Sequence, residues 1–106
     1  MKYPIVENII NGKTTTSKGK LLNVFSPLNS EVISQVKMSG SEDIDEAVKA
    51  AQNAFSDWSG KTLKERVQVF FKYKQLLEEN MTELSELIHE ENGKTIGEAK
   101  AEIEKA

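Results

Sequence analysis

Few residues of this chain belong to the types that perform chemistry. The sequence contains one histidine, His89, and no cysteine. It therefore has no thiol nucleophile, no disulfide and no thiolate metal ligand, and His89 has no second imidazole to share a metal ion. The glutamate pairs at 78–79 and 90–91 are predicted to lie on solvated faces rather than to act as an acid/base pair. The sequence predicts no catalytic residue and no metal ligand among these residues.

The tripeptide Asn-Gly-Lys occurs twice, at residues 11–13 and 92–94. A phosphate-binding loop needs several glycines, so that successive N–H groups point at one anion, and each tripeptide has only one. The turn preference of Asn-Gly instead predicts a hairpin turn at the first copy and a helix C-cap at the second. Thr95, with Lys94 before it, stands at a predicted helix start that could attract an anion, although the specificity of this signal is low. We therefore predict no cofactor-binding residue.

Arg66 lies in an unusual place for a charged residue. At 3.6 residues per turn it falls between Tyr73 and Phe70, inside the apolar sector of its predicted helix. A guanidinium there needs a carboxylate or backbone carbonyls, so Arg66 is predicted to be a structural tether rather than a ligand contact. Phe55 and Trp58 close the preceding helix at core spacing and are predicted to be core aromatics.

Two stretches of different character must position these side chains. The first forty residues contain β-prone runs separated by turn residues, and predict three or four short, mostly antiparallel strands within about 5–38. The rest of the chain has apolar residues at helical spacing, and predicts three helices at about 41–58, 62–91 and 95–106. The fold class predicted is α+β.

Residues at the predicted helix starts support these boundaries. Ser41 is a candidate N-cap for the first helix, since its hydroxyl can accept a hydrogen bond from the backbone. Thr62 with Glu65, and Thr95 with Glu98, match the capping box, in which the threonine and the glutamate each bind the other's backbone N–H.

The second predicted helix is too long and too apolar for a small domain. Roughly 29 residues span about 43 Å, whereas a compact domain of this size is only about 33 Å across. The apolar side chains between Leu63 and Leu77 cover well over half of its circumference. These features predict that the chain is a piece of something larger, or an obligate oligomer.

Composition restricts the class of protein. The 106 residues suffice for one small domain, and 14 Lys and Arg against 17 Asp and Glu give a net charge of −3. A nucleic-acid partner is not expected, because nucleic-acid binders of this size usually carry a strong positive charge. No run approaches the ~18 apolar residues of a membrane span, and the N-terminus lacks the features of a signal or transit peptide. A cytoplasmic protein without a membrane partner is predicted.

Four segments in order resemble the N-terminal segment of NAD(P)-dependent aldehyde dehydrogenases: residues 9–13, 26–33, 43–55, and 90–95 with 98–99. A second set, in residues 58–62 and at Arg66, Phe70, Tyr73, Leu76 and Leu77, is similar to the CoA-acylating methylmalonate-semialdehyde dehydrogenase branch. The sequence departs from the family pattern at Leu28, where the family commonly has alanine, and at Asn53. Together these segments extend over about a hundred residues.

The resemblance implies a function that the residues alone do not. Residues 1–106 would form an incomplete part of a coenzyme-binding domain. The full-length enzyme would oxidise malonate or methylmalonate semialdehyde with NAD and transfer the acyl group to coenzyme A, as a homo-oligomer (dimer or tetramer). The family's nucleophilic cysteine is absent here, so the fragment itself is predicted to be inactive and to bind NAD weakly at best. Two alternatives remain: a small helical protein-interaction module and, less well supported, a nucleotide-binding module.

Overall fold

The computed structural model describes residues 1–106 and contains four short strands followed by four helices. In chain order these are β1 (Asn8–Ile10), β2 (Lys13–Thr15), β3 (Leu21–Phe25), β4 (Val32–Lys37), α1 (Ser41–Gly60), α2 (Leu63–Glu79), α3 (Met81–Asn92) and α4 (Ile96–Lys105). The predicted α+β class is confirmed. The first compact unit comprises Met1–Val24 and Val32–Lys61, and the second comprises Phe25–Glu31 and Thr62–Ala106.

The strands form two small sheets. β1 and β2 pair antiparallel with Ile10 opposite Lys13, so the hairpin turn consists of Asn11 and Gly12 alone. Both turn residues have positive φ, 52° and 72°, as a two-residue hairpin loop requires. The hairpin predicted from Asn-Gly is therefore confirmed.

β3 and β4 form the second sheet, and the N-terminal residues extend it. Val6 makes a parallel bridge to Val36, in which the Val6 N–H donates to the Gln35 carbonyl at 2.8 Å. The Ser34 hydroxyl donates to the Pro4 carbonyl at 2.7 Å, which ties the same segment to β4. β4 is therefore hydrogen-bonded along both of its edges.

Two of the three predicted helix caps are confirmed. The hydroxyl of Thr62 accepts from the Glu65 N–H at 3.2 Å, while the Glu65 carboxylate accepts from the Thr62 N–H at 2.9 Å. Thr95 and Glu98 repeat this reciprocal pair at 3.2 and 3.0 Å. The helices α2 and α4 therefore begin at the residues predicted.

The predicted cap at Ser41 is wrong. Gly40, with extended backbone, is the N-cap residue of α1, and Ser41 is already the first helical residue. The Asp43 carboxylate accepts a hydrogen bond from the Gly40 N–H at 2.8 Å. Asp43 thus stabilises the helix start from inside the first turn, which leaves Ser41 without a capping role.

The single helix predicted over 62–91 is also wrong, because two helices occupy this stretch. Asn80 separates them with φ −106° and ψ 16°, outside the helical region. Its side-chain Nδ2 donates to the Leu76 carbonyl at 2.8 Å, and its backbone N–H donates to the same carbonyl. The resulting helices are only about 26 and 18 Å long. The length of the predicted helix therefore gives no support for a larger assembly.

The exposed apolar surface of the helices does support the prediction that the chain belongs to a larger assembly. Neither α1 nor α2 contains a buried residue, and the buried hydrophobic side chains of the whole chain are Ile33, Ala99 and Ile103. Phe55 is 69% exposed and Trp58 is 37% exposed, so the prediction that they are core aromatics is wrong for this chain. The elements present supply too little surface to cover them. None of the helices has the length and apolar character needed to cross a membrane.

Candidate functional site

The junction between α3 and α4 contains the second Asn-Gly-Lys tripeptide and the histidine. Gly93 has a φ of +82°, and its N–H donates to the His89 carbonyl at 3.0 Å, which confirms the predicted C-cap. The Nδ1 atom of His89 lies 2.6 Å from the Lys94 carbonyl oxygen. Because a carbonyl only accepts, Nδ1 must carry a proton. The half-buried imidazole therefore holds the backbone of the turn through this hydrogen bond.

The start of α4 is occupied by the chain's own carboxylate. Glu98 accepts from the backbone N–H of Thr95, and this bond, followed by the bond with the Thr95 hydroxyl, holds the pKa of Glu98 below its usual value. Lys94, the nearby cation, forms an ion pair with Glu102. An external phosphate would have to displace the carboxylate of Glu98 and compete with that of Glu102 for Lys94.

Alanine in place of the glycine of this junction, Gly93, is expected to destabilise the protein. Ala in the left-handed conformation of Gly93 costs about 1–2 kcal/mol, and its Cβ would lie 3.2 Å from Cγ of Pro27. Gly97 in the first turn of α4 is the matched control, since nothing lies within 4 Å of a Cβ there. We expect Gly93→Ala to lower the thermal unfolding midpoint and Gly97→Ala to leave it unchanged or raise it. A Gly93→Ala protein as stable as the parent would contradict this account.

In the first unit, the polar groups at the start of α1 form a closed cluster. Ser17 is only 3% exposed, and its hydroxyl lies 2.7 Å from Asp43 Oδ2 and 2.6 Å from the Met38 carbonyl. One hydroxyl proton serves these two acceptors in turn. The Gly40 backbone N–H, more than the Ser17 hydroxyl, lowers the pKa of Asp43. These groups bind one another and leave no free acid or base.

The lowered pKa of Asp43 predicts a pH dependence of stability. Stabilisation by its carboxylate is fully present above the unfolded pKa of about 4 and is lost as the pH falls through the lower folded value. Asp43→Asn should therefore reduce the thermal midpoint at neutral pH and weaken its further decline in acid. Asp45→Asn, at an exposed position of the same helix, should retain the parent's acid profile. Identical acid profiles for Asp43→Asn and the parent would refute the assignment.

A shallow groove runs between the β1–β2 hairpin and α1. A part of about 220 Å³ is lined by Asn8, Ile9, Ile10, Ser39, Asp43, Ile44 and Ala47. The side chains of Asn8 and Ser39 form hydrogen bonds with each other, at 2.8 and 3.1 Å. The carboxylate of Asp43 is already bonded to Gly40 and Ser17. The groove therefore offers apolar surface without a free catalytic group. No cluster of three or more His, Asp and Glu side chains in the chain could hold a metal ion.

The remaining predicted residues are not assembled into a site. Arg66 is half-buried, and its Nε is buried without a hydrogen-bond partner, so the predicted tether is not formed at this nitrogen. Glu78 forms an ion pair with Lys74 at 3.7 Å on a well-exposed face, as predicted for this acidic pair. The Ser17–Asp43 contact was not predicted. It joins residues 26 positions apart, and no local sequence pattern signals it.

Comparison with known proteins gives one family. The profile of the aldehyde dehydrogenase family matches residues 14–106. The chain is 41% identical over 99 residues to the malonate-semialdehyde dehydrogenase of Lacticaseibacillus casei, covering 92% of this chain and 20% of that protein. It is 43% identical over 100 residues to malonate-semialdehyde dehydrogenase 2 of a Bacillus cereus strain, covering 93% and 20%.

Solved structures show the same similarity. The methylmalonate-semialdehyde dehydrogenase of Oceanimonas doudoroffii superposes with a TM-score of 0.91 at 32% identity, over 96% of this chain and 21% of that one. A protein of Sinorhizobium meliloti 1021, provisionally named a methylmalonate-semialdehyde dehydrogenase and solved in complex with NAD, gives 0.88 at 36% identity, over 95% and 21%. The chain spans about a fifth of the length of the proteins it matches.

Proposed function

The chain belongs to the aldehyde dehydrogenase family, and from this premise we propose that it is the N-terminal part of an enzyme that oxidises malonate or methylmalonate semialdehyde. The substrate class is supported by the names of its relatives, at 41% and 43% identity. NAD as the oxidant is supported by the NAD complex of the Sinorhizobium meliloti protein. Coenzyme A as the acyl acceptor rests on the resemblance of residues 58–77 to the CoA-acylating branch.

In this proposal, residues 1–106 do not hold the coenzyme. A dinucleotide pyrophosphate typically binds free N–H groups at a helix start. The starts of α1, α2 and α4 already carry the carboxylates of Asp43, Glu65 and Glu98. α3 has no side-chain cap, and it follows α2 directly, since Asn80 is both the last cap residue of α2 and the first of α3. The residues present therefore do not fit NAD, and no step of the reaction is assigned to them.

Their proposed role is to pack against the rest of a coenzyme-binding domain. The single observation that carries this role is the exposed apolar surface of α1 and α2. Phe70 is 64% exposed and Phe71 is 61% exposed, on a helix without one buried residue. Surface of this kind on a folded protein usually marks a contact with other protein. The unpartnered Nε of Arg66, on the same helix, would find its acceptor in that contact.

The setting of the full-length enzyme is also part of the proposal. A homo-oligomer (dimer or tetramer) in the cytoplasm is what the family resemblance suggests. Neither a nucleic acid nor a membrane is proposed as a partner, in keeping with the net charge of −3.

An activity assay tests the function directly. The protein in its natural length should reduce NAD in the presence of malonate or methylmalonate semialdehyde and coenzyme A, with a CoA thioester identified by mass spectrometry as the product. Replacing NAD by NADP tests the choice of coenzyme. The isolated 106-residue chain should give no turnover above a blank. If the natural-length protein oxidises neither semialdehyde, the proposed substrates are rejected. Turnover by the isolated chain would reject the role given to residues 1–106.

A further inference from the structure

The two Asn-Gly-Lys tripeptides have the same sequence and different backbone environments. Asn11 and Gly12 form the exposed two-residue turn of the hairpin, whereas Asn92 ends α3 and Gly93 caps it. We propose that Asn11 is a site of spontaneous deamidation to aspartate and isoaspartate, and that the fold protects Asn92 from the same reaction. The modification changes the turn of the first unit.

The chemistry needs only the peptide itself and water. The backbone nitrogen of Gly12 attacks Cγ of Asn11, forming an N–Cγ bond. The Cγ–Nδ2 bond breaks, and the side-chain nitrogen leaves as ammonia after gaining the proton that the backbone nitrogen gives up. The resulting five-membered succinimide adds one water at either of its two carbonyls. One opening gives aspartate, and the other gives isoaspartate, in which the main chain runs through the former side chain. No oxidant or cofactor takes part.

The attacking nitrogen of Gly12 is available. The cross-strand pair next to the turn is Ile10 with Lys13, and the Gly12 N–H makes no backbone hydrogen bond of its own. Apart from its two chain neighbours, no residue has an atom within 4 Å of the place that a Cβ on Gly12 would occupy, so the turn is not packed against other parts of the chain. A turn residue in open space can rotate toward the geometry of attack without breaking a packed contact.

The corresponding nitrogen at the second tripeptide is engaged. The Gly93 N–H donates to the His89 carbonyl at 3.0 Å, within the hydrogen-bonded end of α3. The backbone at Gly93 is crowded as well, since a Cβ there would lie 3.2 Å from Pro27. Attack on Asn92 would therefore require opening of the helix end. Exposure does not distinguish the two asparagines, because both are exposed.

Deamidation of Asn11 would have a local structural effect. It adds one negative charge at the tip of the hairpin, and the isoaspartate product lengthens the main chain within a turn of two residues. A tight two-residue turn sets the register of its strands, so the extra backbone atom is expected to loosen the pairing of β1 with β2.

The experiment compares the two asparagines within one protein. The protein in its natural length is incubated in mildly alkaline buffer, digested, and mapped by mass spectrometry, with isoaspartate separated from aspartate by electron-transfer fragmentation. A parallel sample is incubated in denaturant, where two identical tripeptides should react at similar rates. We expect native Asn11 to deamidate roughly tenfold or more faster than native Asn92, in line with the loss of one hydrogen bond and its packing. Asn11→Gln should abolish the signal at residue 11.

Three outcomes would overturn the proposal. Equal native rates would show that the helix end gives no protection, and a faster reaction at Asn92 would reverse the assignment. The same rate ratio in denaturant as in the native protein would place the cause in the flanking sequence instead of the fold.

Discussion

Phe70→Asp is expected to abolish the folded enzyme in the natural-length protein and to leave the isolated 106-residue chain folded as before. In the isolated chain Phe70 is 64% exposed, so a carboxylate there meets water and costs little. If α2 packs against the rest of a coenzyme-binding domain, the same carboxylate becomes buried and unpaired. Loss of the aromatic ring alone costs about 3–5 kcal/mol, and the buried charge adds to that.

The control for this prediction lies on the same helix. Gln68→Asp introduces the same charge at an exposed position about 160° around the axis from Phe70. We expect the Gln68→Asp protein to remain soluble and active in its natural length. Soluble yield and activity of the two natural-length variants measure the difference. The isolated chain carrying Phe70→Asp should bind less of a hydrophobic dye than the isolated parent chain. Normal yield and activity of the natural-length Phe70→Asp protein would show that α2 is not covered.

Gly19→Ala is expected to produce the largest loss of stability within the first unit. A Cβ at Gly19 would lie 2.0 Å from the carbonyl oxygen of Met38. This oxygen cannot retreat freely, because it accepts from the Ser17 hydroxyl and the Met38 N–H donates to the Lys20 carbonyl at 2.9 Å. Relief of the clash must break at least one of these bonds. We expect a cost of about 3 kcal/mol, at the upper end for overpacking.

Gly60→Ala provides the comparison. Gly60 is the last residue of α1, and nothing lies within 4 Å of a Cβ there. Alanine is expected to leave stability unchanged or raise it by up to ~1 kcal/mol. The readouts are the thermal unfolding midpoint and the soluble yield of each purified variant. Unfolding of both variants at the parent's midpoint would contradict the close approach of Gly19 to the Met38 carbonyl.

The features of the fold that sequence predicted are those determined within a few neighbouring residues. Thr62 needs only Glu65 to begin a helix, and the turn at Asn11 needs only the tolerance of Asn-Gly for positive φ. The interruption at Asn80 was missed because the apolar spacing continues across it. Its cause is an amide side chain that competes for the Leu76 carbonyl, and periodicity does not detect such competition.

Contacts between distant residues could not be predicted in the same way. Ser17 meets Asp43 only because strands and turns bring them together, and neither residue belongs to a recognisable motif. The burial of Phe55 and Trp58 was predicted from spacing, which shows that a face is apolar and does not show what covers it. The absence of an active site among these residues was predicted from residue types and remains a prediction for the natural-length protein.

The capping boxes at Thr62 and Thr95 are each complete within four residues of the chain, which bears on when each helix can start to form during synthesis. Each cap joins two residues three positions apart, so its hydrogen bonds need no segment that is translated later. Relatives about five times longer than this chain need roughly 20–80 s to complete the remainder at typical bacterial elongation rates. If residues 1–106 are the N-terminal part of a protein of that length, as proposed, the aromatic side chains of α2 are expected to stay exposed during that interval.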